Sequence, residues 1–223
     1  MNTSKKILNL FHPLLKPLSA WYSSKVRTYR FQDITVKVYP GVFHPGLFFS
    51  TKIILKYLEN LNLHGQRILE LGAGTGLISI YCFKKKAAQI TASDISLSAV
   101  SNIRENAALN KAIINVIHSD LFEFITPDDF DIIIINPPFY PKDPKFEKEY
   151  AWFCGHDFEF FKKLFAQIRL KRTSQNRILM ILSEECDLQE IKRLANEFYI
   201  KLEPVFEKHA FGEQNFIFSI KNK

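Results

Sequence analysis

The sequence predicts an α/β fold built on a doubly wound, mainly parallel sheet. Three observations carry this. After residue 60, short apolar runs alternate regularly with longer amphipathic stretches, the pattern of strands alternating with helices. One of the runs is Ile132 to Ile135, four isoleucines in a row, which suits a strand covered by helices on both faces. The chain has 223 residues and is 47% hydrophobic, with 21 Phe, enough apolar material for the core of one α/β domain.

Taken in order, Phe31 to Tyr39 alternates like a strand, and Phe49 to Leu61 reads as a helix leading into the first core strand. Strands are then expected over Arg67 to Leu71, Ile90 to Ser93, Asn115 to His118, Asp131 to Ile135 and Arg177 to Ser183. The stretches between them predict helices over Leu77 to Lys86, Ser96 to Leu109, Asp157 to Lys171 and Asp187 to Glu197. Ser96 suits a helix start, because its hydroxyl can accept an orphan backbone N–H. Strands joined by helical crossovers must run parallel. The last two, Leu202 to His209 and Asn215 to Lys221, are too close for a crossover and read as an antiparallel pair.

Composition excludes several classes. The longest apolar runs are about five residues, well short of the roughly 20 that a membrane-spanning helix needs. The apolar stretch Ile7 to Leu18 is interrupted by His12, Pro13, Lys16 and Pro17, unlike a secretory signal. Cys82, Cys154 and Cys186 are odd in number and widely spaced, which points to reduced thiols in a cytoplasmic protein. The six histidines include no pair at metal-ligand spacing, so no metal site is expected. The net charge of +7 is concentrated: residues 1–30 hold Lys5, Lys6, Lys16, Lys25, Arg27 and Arg30 and no acid, leaving +1 for the rest. With Trp21, Tyr22 and Tyr29 among the cations, this N-terminal extension could meet phosphates and stack on bases, or simply be a solvated extension of a domain over 31–223.

Chemistry-bearing residues fall at the ends of the expected strands. Glu70-Leu71-Gly72-Ala73-Gly74-Thr75-Gly76 stands where the strand Arg67 to Leu71 gives way to a helix. Glycines at alternate positions let the backbone turn tightly and approach a ligand at the carboxyl edge of the sheet. A dinucleotide fingerprint would need a glycine where Leu77 stands; the spacing here is instead that of S-adenosylmethionine binding. Asp94 ends the next strand, 22 residues after Gly72, where a carboxylate can accept ribose hydroxyls. Asp120 ends the third and could accept an adenine amino group, with Ile95 and Leu121 on the two faces of the ring. After Ile132 to Ile135 comes Asn136-Pro137-Pro138-Phe139. Two prolines stiffen the turn and remove two N–H donors, so that the Asn136 side-chain oxygen and a proline carbonyl can accept both hydrogens of a planar nitrogen. Phe139 could stack on that flat group. The stretch Tyr140 to Gly155, polar and aromatic, follows at once and reads as a substrate lid.

In this order and spacing, Glu70 to Gly76, Asp94, Asp120 and Asn136 to Phe139 resemble the seven-stranded Rossmann-like methyltransferases that use S-adenosylmethionine and methylate nitrogen. The resemblance covers roughly residues 40 to 221. Its Asn-Pro-Pro-aromatic turn is similar to that of the group holding release-factor glutamine methyltransferases, adenine amino methyltransferases and ribosomal-RNA guanine amino methyltransferases. Pro40-Gly41-Val42-Phe43, Leu47 and Phe139 resemble the ribosomal-RNA branch, while Phe48, in place of an acid, and Tyr140-Pro141-Lys142, in place of a histidine, depart from it. His44-Pro45 and Thr51 lie where the N-terminal segment of such proteins closes over the cofactor. The resemblance implies S-adenosyl-L-methionine as cofactor, held by Glu70, Gly72, Ala73, Gly74, Gly76, Asp94, Ile95, Asp120, Leu121 and Asn136. It implies catalysis by Asn136, Pro137, Pro138 and Phe139. The expected acceptor is a nucleobase amino group in RNA, with a protein glutamine amide as the alternative. A non-catalytic nucleic-acid-binding module on the same scaffold is the rival from another class.

Overall fold

The computed structural model describes residues 25–173, 176–210 and 212–223. The elements are β1 (Arg27–Phe31), β2 (Ile34–Val38), α1 (Ser50–Leu58), β3 (Arg67–Leu71), α2 (Leu77–Lys84), β4 (Gln89–Asp94), α3 (Leu97–Leu109), β5 (Asn115–His118), β6 (Ile132–Ile135), α4 (Glu159–Lys171), β7 (Arg177–Ser183), α5 (Leu188–Glu197), β8 (Ile200–Ala210) and β9 (Glu213–Asn222). The seven-stranded sheet has the order β5-β4-β3-β6-β7-β9-β8. β3 to β7 pair in parallel, and β9 runs antiparallel to both of its neighbours. This is the doubly wound, mainly parallel architecture that the alternation of periods implies.

The period of two assigns the sheet's faces. In β6, Ile132 and Ile134 join a core shared with α1 and α2, whereas Ile133 and Ile135 join a core shared with α4 and α5. β7 divides in the same way, with Leu179 and Ile181 on the first face and Ile178, Met180 and Leu182 on the second. Each buried aliphatic side chain contributes about 1.5–3 kcal/mol on transfer from water, so a register slip in either strand would be expensive. α1 buries Ile53, Ile54, Leu55 and Leu58 on the first face, and α4 buries Phe161, Leu164, Phe165 and Ile168 on the second.

The N-terminal part departs from the expected single strand over 31–39. It is a hairpin, β1 paired antiparallel with β2 in a separate two-stranded sheet, from Arg27 opposite Val38 to Phe31 opposite Ile34. The turn Gln32-Asp33 holds Gln32 at φ 53, a left-handed conformation that is uncommon outside glycine. Its composition therefore carries no hairpin signal of the Asn-Gly kind. Arg27 and Arg30 of the basic extension belong to β1, and residues 1–24 lie outside the described residues. No helix among the described residues is long and apolar enough to cross a membrane.

Candidate active site

β3 lies between β4 and β6, and the winding reverses there, which opens a crevice at the carboxyl ends of β3 and β6. Register brings the loops together: Leu71 pairs with Ser93 on one side and with Ile135 on the other. The glycine turn, the tip of β4 and the Asn136 turn consequently share one cavity of about 290 Å³. Its wall includes Glu70, Gly72, Ala73, Gly74, Asp94, Ile95, Asp120, Leu121, Asn136, Pro137 and Pro138.

Gly72 has φ +71, and a Cβ there would meet no protein atom within 4 Å. The left-handed backbone, with open space above it, is what favours glycine at this position. Gly76, at φ +73, caps α2, and its Cβ would stand 3.0 Å from Ile103 Cγ2. Gly76 thus serves helix packing and is not part of the cavity wall.

Asp94 is tied to the glycine turn. Its Oδ2 accepts from Gly74 N at 2.9 Å and its Oδ1 accepts from Ser96 N at 3.0 Å. Burial raises its pKa, partly offset by these backbone N–H groups. Ser96 caps α3 as expected, its hydroxyl accepting from Ala99 N at 3.2 Å. Glu70, fully buried in β3, accepts from Ser79 N at 2.8 Å and from Ser79 Oγ at 2.6 Å. Loss of solvent outweighs both bonds and pushes its pKa up to about 8. Asp120 forms an ion pair with Lys163 of α4, and Leu121 follows at φ 56.

Lys163 lines the cavity with Glu159 and Phe160, one turn away on the same helix. Sequence reasoning missed these three. Their i, i+4 spacing shows only that Glu159 and Lys163 share a helix face, and nothing local says that this end of α4 reaches the β5 tip. Phe139 is not on the wall; it packs against the core beneath, its ring centroid 4.6 Å from that of Tyr140.

Residues 140–155 fold over the cavity as a tethered loop. Tyr140 N donates to Trp152 O at 3.1 Å and Cys154 N to Tyr140 O at 2.9 Å. A single 3-10 turn, Glu147–Glu149, lies between these ties. Trp152 packs on the N-terminal segment, its ring centroid 5.2 Å from that of Phe43 and 4.7 Å from that of Phe48. Phe43, Pro45 and Thr51 line the cavity from that segment, while His44 is buried and its ring lies edge-on to Tyr29.

The chain is similar in sequence and fold to known proteins. Over 140 residues, 61% of this chain and 42% of the relative, it is 32% identical to a ribosomal RNA small subunit methyltransferase C of Haemophilus ducreyi. Over 111 residues, 49% of this chain and 53% of the relative, it is 43% identical to a protein of Methanocaldococcus jannaschii provisionally named protein N5-glutamine methyltransferase. The chain thus spans about half the length of these curated relatives. In fold it is similar to the T. thermophilus 16S rRNA N2 methyltransferase solved with AdoMet and guanosine, with a TM-score of 0.64 at 18% identity, covering 89% of this chain and 50% of that one. The methyltransferase small domain family matches residues 33–152, from the hairpin turn to the tethered loop, and with the strand-tip site inside that span the chain belongs to this family.

Proposed function

We propose that this chain is an S-adenosylmethionine-dependent N-methyltransferase whose acceptor is a planar nitrogen, a nucleobase exocyclic amino group in RNA. The observation that carries the proposal is the shared cavity: the Asn136-Pro137-Pro138 turn lines the same space as Gly72, Gly74 and Asp94. The residues present fit the cofactor. The cavity has a carboxylate at the β4 tip and another at the β5 tip, apolar Ile95 and Leu121 beside them, and an unobstructed approach to the Gly72 backbone. Asp94 and Gly74 would hold the ribose and methionine portions, and Asp120 with Ile95 and Leu121 the adenine. When bound, the cofactor supplies an electrophilic methyl group.

The chain's own contribution is orientation. The Asn136 side-chain oxygen and a proline carbonyl accept both hydrogens of the acceptor nitrogen and turn its lone pair toward the methyl. Fixed dipoles of this kind need no reorganisation during transfer, and no base is needed before attack. Phe139 supports the turn from below in this scheme, or stacks on the acceptor if the turn shifts when it binds. The basic N-terminal extension supplies phosphate contacts for an RNA acceptor. A protein glutamine amide is the second reading, favoured by the 43% identity to the M. jannaschii relative. A cytoplasmic location is part of the same proposal. Tritiated S-adenosylmethionine and a cell extract divided into RNase-treated and protease-treated halves test the proposal. Label lost on RNase treatment supports the RNA reading, label lost only on protease treatment the glutamine reading, and no label in either half a non-catalytic module.

A further inference from the structure

Glu147 belongs to none of the strand-tip motifs. It sits in the 3-10 turn of the tethered loop and lines the cavity beside Asp94 and Ser96. Its Oε1 accepts from Ser96 Oγ at 2.7 Å and lies 3.5 Å from Ser98 N. Each oxygen of Asp94 is already engaged by a backbone N–H, from Gly74 and Ser96, which leaves one further acceptor position on each for a vicinal diol. Two carboxylates facing one end of a cavity repel each other unless donors lie between them. Ser96 provides one such donor, and a ribose would provide two.

We infer that Glu147 is a second acceptor for the ribose hydroxyls, so that the loop 140–155, closed as it is here, completes the cofactor site. This rests on the methyl-donor reading above. Other contacts position the loop without Glu147. Trp152 packs on Phe43 and Phe48, and Lys148 lies so close to Gly41 that a Cβ there would stand 2.7 Å from Lys148 Cβ. The loop therefore has ties besides the Glu147 carboxylate, which stands at the ribose end of the cavity beside Asp94.

Calorimetry with S-adenosylhomocysteine and with its 2′,3′-dideoxy analogue, on the full chain and on Glu147→Ala and Glu147→Gln, tests the assignment. Glu147→Ala is expected to bind S-adenosylhomocysteine about tenfold more weakly and the dideoxy analogue as the wild type does; Glu147→Gln, which keeps one acceptor oxygen, should fall between. Equal losses on both ligands, or no loss on either, would overturn the assignment. Without ligand, trypsin should cut at Lys145 and Lys148 equally fast in all three proteins. Faster cutting in Glu147→Ala would make Glu147 a latch and overturn the assignment. Failure of the wild type to bind S-adenosylhomocysteine at all would remove the methyl-donor reading, and this assignment with it.

Discussion

Asn106 and Lys37, 69 positions apart, are joined as two strands would be: Asn106 Oδ1 accepts from Lys37 N at 2.7 Å, and Asn106 Nδ2 donates to Lys37 O at 2.8 Å. Asn110, one turn after, repeats the arrangement on Thr35, while Asn102, one turn before, accepts from Tyr39 N and donates to Lys37 O. A stripe of three asparagines, two on α3 and the third its C-cap, thus satisfies the free edge of β2, which a sheet strand would otherwise do. Asn106 Nδ2 also donates to Thr75 O at 3.0 Å, linking the hairpin to the glycine turn.

Asn106→Ala should therefore be destabilising by about 2–3 kcal/mol, because it takes the side-chain partner from Lys37 N and Thr75 O, while Lys37 O keeps Asn102. In scanning calorimetry this is a fall in Tm of roughly 4–12 °C for a domain of this size. An unchanged Tm would show that water replaces the side chain.

Asp94→Ala should weaken binding of S-adenosylmethionine by roughly 2 kcal/mol, the scale for losing an ionised acceptor. Its bond to Gly74 N means that part of this loss comes from loosening the glycine turn. Titration calorimetry giving equal affinity in variant and wild type would remove Asp94 from the ribose site.

Asn136→Ala should leave cofactor affinity nearly unchanged and lower turnover by about 10² to 10³, as for loss of one preorganised polar contact to the reacting group. Single-turnover kinetics on the acceptor that takes up label measure this directly. Full activity would make the turn structural only.

Glu70 makes stability depend on pH in a defined direction. Its pKa rises from 4.5 to about 8 on folding, so the folded state holds this proton more tightly than the unfolded state. The contribution is complete below about pH 4.5 and is lost as pH rises toward 8. Glu70→Gln, which cannot ionise, should show a smaller fall in Tm between pH 5 and 8 than the wild type. Each kcal/mol of difference corresponds to about 2–4 °C. Parallel Tm profiles would contradict a protonated Glu70.

Deleting residues 1–25 removes four lysines and no acid. If RNA is the acceptor, the slope of log affinity against log salt should fall in magnitude by up to about 3. Filter binding to single-stranded RNA at several salt concentrations reads it, and an unchanged slope would show that the extension takes no part in RNA binding.

Much of this protein is legible from local pattern. The isoleucine run Ile132 to Ile135, the glycine turn after Leu71 and the N-cap Ser96 lie where the sequence predicts them, because strand period, left-handed backbone and helix capping are decided by neighbours in the chain. The strand-tip order of Gly72, Asp94, Asp120 and Asn136 follows from the same periods. Long-range packing decided the rest. Phe31 to Tyr39 proved to hold the end of the first strand, the turn and the second strand of a hairpin, since the partner strand and the asparagine stripe supply the pairing that no local signal announces. Lys163 reaches Asp120 because α4 packs beside the β5 tip, and Phe139 packs on the apolar core and not on the cavity wall. The hydrophobic effect is non-directional. It makes the strands and helices legible one at a time, while contacts such as that of Lys163 with Asp120, 43 positions apart, come from the packing of separate elements.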